Sequence, residues 1–329
     1  MANKTQEQIM QNWGGRDLPL LSVCCITFNH EGYIAEALDS FLMQETDFPF
    51  EVIVRDDCSA DRTAEIIRTY EQQYPLIIKP IYEAENQYSK GVRPMPVVFK
   101  QTKGEYLALC DGDDYWTDQH KLQHQVDFLA AHLDYSVCYT AANIINDEGK
   151  QIGIINEFGD SDEKTMISGL GSVITGSMMF RRFDLSEWMG LANVKVFNGD
   201  AVLWHFLGFH GKCKCLDNIG NTAYRVHSGG VWGGVSSHDK FVRLLGTYSV
   251  IRTSILNKLP NDLEVLAMND VKFSIIFEWY FFISVRSMSI REYVFCLKKL
   301  VESKELNRTN IYIYHVIKIL KRAFKKLFR

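Results

Sequence analysis

The sequence predicts an α/β fold in which a mostly parallel β-sheet is flanked by helices and followed by a C-terminal helical extension. Over the first 135 residues, short continuous apolar runs alternate with segments whose apolar residues recur every three or four positions. Continuous apolar strands are typical of parallel sheets covered on both faces, and the second pattern is typical of amphipathic helices. After about residue 238 only the helical pattern remains.

Strands and helices alternate regularly in this first part. The predicted strands are 21–28, 50–57, 76–83 and 106–111, and the predicted helices are 33–44, 61–74 and 121–133. In such sheets ligands bind beyond the carboxyl ends of the strands. Polar residues that directly follow the strands are therefore the candidate functional residues.

From residue 136 onward the pattern is less regular. We expect two strands around a turn within 136–155, a strand at 172–182, a helix at 199–210, and a strand leading into a glycine-rich loop at 221–234. These patterns predict one domain over 1–237 and a helical extension over 238–329.

Composition excludes several classes of protein. The chain has 329 residues, 47% of them hydrophobic, and its net charge of −4 gives no reason to expect a nucleic-acid partner. The apolar stretch 273–285 is interrupted by Glu278 and is shorter than the roughly 20 residues that span a bilayer, so we expect a buried helix. The eight cysteines form no CxxC pair, which favours a reduced, cytoplasmic protein.

The most informative segment is LALCDGDDYW, where a buried strand ends on three carboxylates. Asp111, Asp113 and Asp114 repel one another unless a cation or protons offset their charge, and hard oxygen ligands of this kind suit a divalent metal. Gly112 permits a sharp turn between them. An acidic loop that caps the next helix would explain one carboxylate but not three, so a metal site is favoured.

Other strand ends carry further candidates with two open interpretations each. Asp57 can accept hydrogen bonds from a base or ribose, or it can serve the local turn. Asp200 follows Gly199 at a predicted helix start, where it is either an N-cap or a general base. His227 precedes the glycine-rich loop, and it is either a satisfied polar residue or part of a phosphate site.

Three segments together resemble family 2 glycosyltransferases of the GT-A fold, the inverting, bacterial surface-polysaccharide type. They are SVCCITFNHEGYIAEALDSFLMQ, EVIVRDDCSADRT and KGEYLALCDGDDYW, in the order and spacing of that family. The resemblance continues less tightly to about residue 232. It implies that residues 1–237 form a GT-A domain with a nucleotide-diphospho-sugar site.

The resemblance also implies roles for individual residues. Asp200 would be the catalytic base, and Asp111, Asp113 and His227 would hold a divalent metal, Mn²⁺ or Mg²⁺. The residues implied in binding the nucleotide-sugar are Thr27, Phe28, Asn29, Asp57, Asn86, Asp111, Asp114 and Arg225. Phe28 departs from the family pattern, in which a tyrosine often precedes the asparagine, so a phenolic hydrogen bond is lost there.

The implied function is metal-dependent, inverting transfer of a sugar, from UDP most often, to a hydroxyl of a saccharide or lipid-linked acceptor. Residues 311–329 form a basic amphipathic pattern that suits either an anionic membrane surface at the inner face of the cell membrane or packing on the protein. A nucleotidyltransferase would need a glycine-rich basic loop after the first strand, and residues 26–37 lack one. A non-catalytic nucleotide- or glycan-binding relative is less favoured, because the acidic residues implied in catalysis are all present.

Overall fold

The computed structural model describes residues 4–16, 18–155, 159–171, 173–192, 196–230 and 235–284, and every structural statement concerns these residues. The strands are β1 (Leu21–Thr27), β2 (Phe50–Asp56), β3 (Ile78–Tyr82), β4 (Tyr106–Leu109), β5 (Tyr115–Trp116), β6 (Tyr135–Tyr139), β7 (Ala142–Ile145), β8 (Gln151–Ile155), β9 (Met179–Arg181), β10 (Lys212–Cys215) and β11 (Thr222–Arg225). The helices are α1 (Gln6–Met10), α2 (Ile34–Leu42), α3 (Thr63–Gln73), α4 (Pro94–Phe99), α5 (Lys121–Ala131), α6 (Glu163–Ile167), α7 (Ser186–Ala192), α8 (Gly199–Gly208), α9 (Ser237–Lys258) and α10 (Leu263–Ser284).

The main sheet has seven strands in the order β10-β6-β9-β4-β1-β2-β3. Strands β4, β1, β2 and β3 run parallel to one another, and β6 is parallel to β10. Strand β9 is antiparallel to both β4 and β6. The predicted mostly parallel sheet is therefore confirmed, with β9 as its exception.

Helices cover both faces of this sheet. The central strands present apolar side chains on each face, and each face packs against a different set of helices. Val23 and Cys25 of β1 pack in one core with α2, α3 and α5, whereas Cys24 packs in a second core with α4 and α6 to α9. All three side chains are fully buried. The apolar run 21–28 is therefore continuous because both faces of β1 are buried, as expected.

Two predictions for the middle of the chain were wrong in detail. Residues 136–155 form three strands, because the chain leaves the main sheet after β6 and enters a second, four-stranded sheet in the order β5-β11-β7-β8. Residues 172–182 contain only the three-residue strand β9, preceded by a 3₁₀ turn at Thr175–Ser177. The turn fits around Trp116, whose indole N–H donates to the Gly176 carbonyl at 2.7 Å.

Helices α9 and α10 form an antiparallel hairpin that packs against α8 and α6. Phe241 of α9 stacks on Tyr280 of α10 with ring centroids 4.0 Å apart. Arg252 pairs with Asp270 at 2.6 Å, and Asn269 donates to the Ser168 carbonyl at 2.8 Å. The predicted boundary at residue 237 falls at the first residue of α9, and the core of the hairpin is continuous with that of the preceding domain.

The apolar stretch 273–285 lies, as far as residue 284, within α10. Within the described ranges, none of the helices combines the length and apolar character required to cross a bilayer. The basic amphipathic segment 311–329 lies outside the described residues.

Gly104 provides a test of the sheet packing. A Cβ atom there would lie 2.5 Å from the carbonyl carbon of Leu21, in the backbone of the central strand. Because backbone atoms cannot move aside cheaply, Gly104→Ala should lower the free energy of unfolding by about 1–3 kcal/mol. The matched control is Gly190→Ala in α7, where a Cβ atom meets nothing within 4 Å. Urea denaturation of both variants checks this, and equal stability of the two would contradict the packing described.

Candidate functional site

The candidate site lies where β1, β2 and β4 end. Beyond the strands, the Gly112 N–H donates to the Ile26 carbonyl at 2.9 Å, and the Asp57 N–H donates to the Thr27 carbonyl at 3.1 Å. These backbone bonds hold the segments after β2 and β4 against the end of β1. The convergence of the polar strand ends is therefore confirmed.

Gly112 explains the spacing of the carboxylates. A Cβ atom at this position would lie 2.8 Å from both Cβ and Oγ1 of Thr27. Only glycine permits this close approach, so the chain passes directly over the end of β1 with Asp111 on one side of the glycine and Asp113 on the other.

Asp113 lies between two imidazoles. Its Oδ2 is 3.0 Å from Nε2 of His227 and 3.7 Å from Nε2 of His30. One potential ligand atom from each of these three residues lies within 4.8 Å of the others. A carboxylate oxygen and two imidazole nitrogens at such separations form a donor set for a divalent cation.

The electrostatics of this group favour deprotonated ligands. Burial raises the pKa of Asp113, but the hydrogen bond with His227 and the nearby His30 outweigh it and bring the pKa below its ordinary value. Burial lowers the pKa of His30, although Asp113 opposes this. An ionised carboxylate and a neutral imidazole are the protonation states that bind a metal.

The second sheet brings His227 to Asp113. Strand β5 begins directly after the acidic segment and pairs antiparallel with β11, which ends two residues before His227. The Arg225 N–H donates to Oδ1 of Asp114 at 2.8 Å, which fixes the end of β11 against the acidic loop. The Tyr33 ring packs on His227 with centroids 4.9 Å apart.

The guanidinium of Arg225 is fully engaged within the protein. It donates to Glu36 at 2.5 Å, to the Asp113 carbonyl at 3.0 Å, and to the carbonyls of Asn146 and Asp147 at 3.2 and 2.9 Å. The side chain is almost completely buried. The structure therefore brings Arg225 next to the site, where its hydrogen bonds join β11 to the acidic loop, to α2 and to the turn after β7. Its predicted role toward the nucleotide-sugar stays a prediction.

Asp111 and Asp114 experience a different environment from Asp113. Burial, followed by the charges of Asp113 and Asp200, raises the pKa of Asp111 to about 8, and its buried Oδ1 has no hydrogen-bond partner within the described part of the chain. Burial and then the charge of Asp113 also raise the pKa of Asp114. Asp111 lies outside the group formed by Asp113 and the two imidazoles, so its role as a metal ligand stays a prediction.

Two adjoining cavities meet at the acidic loop. The larger, of about 730 Å³, extends over Phe28 and Asp57, and the smaller, of about 460 Å³, contains Asp200. Asp111 and Asp113 line both cavities. The candidate metal group thus lies at the junction between the cavity of Phe28 and Asp57 and the cavity of Asp200.

Phe28 lies in the wall of the larger cavity and is 41% exposed, as a stacking surface would be. Thr27 also lines it, and the Thr27 Oγ1 is buried with no partner among the residues described. Asn29 adopts a left-handed conformation with φ of 55°, and its side chain accepts the Ala60 N–H at 2.8 Å. Asn29 therefore joins the turns after β1 and β2 and shapes the cavity wall.

Asp57 and Asn86 form another part of this wall. The Asp57 carboxylate accepts hydrogen bonds from Arg55 at 2.7 Å and from the backbone N–H groups of Gln87 and Tyr88 at 3.0 and 2.9 Å. Asn86 lines the cavity and accepts the Ser89 N–H at 2.7 Å. Their contacts support the wall, and their predicted roles toward the nucleotide stay predictions.

Asp200 is the second residue of α8, and Asn198 is the N-cap of that helix. The simple N-cap interpretation of Asp200 is therefore wrong. The residue is exposed toward the smaller cavity. Desolvation by the surrounding protein raises the pKa of its carboxyl group, and backbone hydrogen bonds and the charge of Lys272 oppose this effect. A raised pKa suits a carboxylate that takes a proton near neutral pH.

His30 is the site residue that sequence reasoning did not assign. It directly follows Asn29 in the turn after β1, at the same sheet edge as the other candidates. Its position directly after a strand could therefore have identified it as a candidate from the sequence. The family resemblance had already implied a place for His227, nearly 200 residues away, beside Asp113, and the structure brings it there from the second sheet.

Comparisons with known proteins agree with this geometry. Residues 22–189 match the family model described as Glycosyl transferase family 2. An uncharacterized protein of Mycobacterium tuberculosis is 35% identical over 218 residues, which are 64% of this chain and 60% of the relative. The poly(ribitol-phosphate) beta-N-acetylglucosaminyltransferase TarS of Staphylococcus aureus is 36% identical over 114 residues, 34% of this chain and 19% of TarS.

Solved structures show the fold. TarS in complex with UDP-GlcNAc is similar with a TM-score of 0.62 at 21% identity, covering 83% of this chain and 77% of that one. A mannosyltransferase of Pyrobaculum calidifontis, PcManGT, in complex with GDP-Man and Mn²⁺ has a TM-score of 0.50 at 15% identity, covering 94% and 88%. The sheet and its flanking helices therefore have the GT-A fold.

Since the family model covers just over half of its residues, the chain belongs to glycosyl transferase family 2. This confirms the family and the GT-A fold expected from the three sequence segments. The chain spans less than two thirds of the length of the mycobacterial relatives it matches.

The raised pKa of Asp111 predicts a specific dependence of stability on pH. With a pKa of about 8 in the folded protein against an ordinary 3.8, the folded state holds a proton that the unfolded state loses. Stability is therefore lost as the pH rises from 4 through 8. In EDTA, Asp111→Asn should become more stable than the wild type across this range, by about 1–3 kcal/mol in total.

Urea denaturation at pH 5 and pH 8.5 measures this difference. The matched control is Asp47→Asn, which alters an exposed carboxylate away from the site. If Asp111→Asn lowered stability equally at both pH values, the carboxylate would be a structural hydrogen-bond acceptor, contrary to this account.

Proposed function

We propose that the protein is a metal-dependent, inverting glycosyltransferase that transfers a sugar from a nucleotide-diphospho-sugar, with UDP as the preferred nucleotide. The observation that carries this proposal is the position of Asp113, flanked by His30 and His227, at the junction of the two cavities. A donor that spans both cavities would place its diphosphate at this junction, its base near Phe28 and its sugar near Asp200.

The residues present fit a divalent cation. Asp113 and His227 would hold it together with His30. The Oδ1 atom of Asp111 is buried without a partner among the described residues, which costs free energy, and a nearby cation would reduce that cost. When bound, the cation would supply positive charge to the leaving diphosphate. Two imidazoles in the donor set favour Mn²⁺ over Mg²⁺.

The proposed chemistry needs one proton acceptor. The acceptor hydroxyl oxygen forms a bond to the anomeric carbon while the bond from that carbon to the diphosphate oxygen breaks, and the electron pair leaves with the nucleoside diphosphate. Asp200 takes the hydroxyl proton. A single displacement of this kind inverts the anomeric configuration, and the raised pKa of Asp200 supports its role as base.

The acceptor is proposed to be a hydroxyl of a saccharide or a lipid-linked saccharide in surface-polysaccharide synthesis. The name of TarS, which acts on a ribitol-phosphate polymer, supports a surface polymer. We further propose that the protein works at the inner face of the cell membrane, with the basic residues of 311–329 on anionic lipid. This contact concerns residues outside the described part of the chain.

The metal proposal predicts a coupled thermal shift. Thermal unfolding of the full chain is measured with UDP-sugars and GDP-sugars, with and without Mn²⁺ or Mg²⁺. A hundredfold excess of ligand over its Kd stabilises the folded state by about 2.7 kcal/mol, so one donor should raise the Tm only when metal is present. Asp113→Ala should lose this shift, whereas Asp47→Ala, at an exposed position, should retain it. A donor that raises the Tm equally in EDTA would contradict metal dependence.

Asp200→Asn tests the base. With the donor identified in that panel, donor hydrolysis without acceptor is measured as released nucleoside diphosphate, because water also gives up a proton when it attacks. Loss of a general base should reduce the rate by about 10²-fold or more while donor affinity is retained. Asp217→Asn, at an exposed position, is the control. Equal loss of binding and turnover would refute the assignment, and wild-type protein that binds donor without any turnover would favour the non-catalytic alternative.

A further inference from the structure

The two cavities are lined by more basic side chains than the sequence motifs account for. Arg55 and Arg225 each line a cavity, but Arg55 is paired with Asp57 and Glu83, and Arg225 with Glu36. The charges of both guanidinium groups are thus already paired with carboxylates. Side chains that are not paired with carboxylates are better placed to add positive charge to that of the cation proposed at Asp113.

Three other cations line the cavities, and none of them makes an ion pair with a carboxylate within the described ranges. They are Arg243 in the larger cavity and Arg93 and Lys240 in the smaller one. Lys240 and Arg243 lie three residues apart on α9, so they occupy the same face of that helix. The face of α9 that meets the cavities is therefore basic, and it lines the same two cavities as Asp111 and Asp113.

Arg243 is held in place by an aromatic ring. Its guanidinium carbon lies 3.8 Å from the ring centroid of Phe197, and Phe197 lines both cavities. A guanidinium that rests its face on an aromatic ring keeps its N–H edges available for hydrogen bonds, and its planar geometry matches phosphate oxygens. The stacking thus orients Arg243 without consuming its donors.

We propose that Arg243, with Lys240 beside it, binds the diphosphate of the nucleotide-sugar from the side opposite the acidic loop. This inference rests on the proposed function and adds the helical hairpin to the donor site. The diphosphate would then lie between a cation held by Asp113 and a guanidinium from α9. The charge that develops on the leaving group is compensated from both sides.

The test compares UDP with uridine, which lacks the diphosphate. Affinity for UDP is measured by titration calorimetry at saturating Mn²⁺, and affinity for uridine by ligand-observed NMR. The variants are Arg243→Gln, Arg243→Lys and the matched control Arg16→Gln, whose side chain is exposed outside both cavities. The Tm of each unliganded variant is measured alongside.

Loss of a charged hydrogen bond to phosphate should make Arg243→Gln bind UDP about tenfold to a hundredfold more weakly, with uridine affinity unchanged. Arg243→Lys, which keeps the charge but loses the planar donors, should fall between Arg243→Gln and the wild type, and Arg16→Gln should equal the wild type. The uridine affinity shows whether the cavity is intact, even in a variant with a lowered Tm.

Two results would overturn the inference alone. One is UDP affinity of Arg243→Gln within about twofold of wild type, and the other is an equal loss of UDP and uridine affinity, which would indicate a change in cavity shape. Wild-type protein that does not bind UDP at all with Mn²⁺ would instead refute the proposed UDP-dependent function, and this inference with it.

Discussion

Electrostatic repulsion among Asp111, Asp113 and Asp114 at the end of β4 is the constraint to which the rest of the site responds. Each carboxylate is compensated differently. Asp113 lies against two imidazoles, Asp114 accepts the backbone N–H of Arg225, and Asp111 keeps a buried oxygen without a partner in the described part of the chain. Only the charge of Asp113 is thus accommodated by the protein itself, because burial and the charge of Asp113 keep the pKa values of Asp111 and Asp114 raised. These two carboxyl groups are left for protons or for a cation, which is why the acidic loop is proposed as a binding site.

This compensation requires the second sheet to be fixed precisely against the first. The buried guanidinium of Arg225 bonds to Glu36 of α2 and to the backbone of both the acidic loop and the turn after β7. The Arg225 side chain is buried whereas that of Glu36 is 57% exposed, so loss of Glu36 would leave a buried guanidinium without its carboxylate partner. Arg225 therefore fixes the end of β11, two residues before His227, against the acidic loop. The charge needed by a bound diphosphate is proposed to come from the cation and from α9 together.

Much of this arrangement follows from sequence. The apolar runs 21–28, 50–57 and 106–111 correctly located the central strands. The polar residues after them converge at one edge, as predicted, because parallel strands end at a common edge. The antiparallel strand β9 and the break after β6 were missed, since short strands that join different sheets leave only weak local patterns. Contacts between distant residues were also missed. Glu36 and Arg225 pair across 189 positions, and nothing in the sequence around either residue specifies the other.

The central claim is that one cation, held by Asp113 and His227, joins this protein to a nucleoside diphosphate. The most direct test is an anomalous difference map from crystals grown with Mn²⁺ and UDP. The account predicts a single anomalous peak within coordinating distance of Asp113, His227 and the diphosphate oxygens. UDP bound in the larger cavity with no anomalous peak at these residues would contradict the claim, as would Mn²⁺ bound at a site remote from the nucleotide.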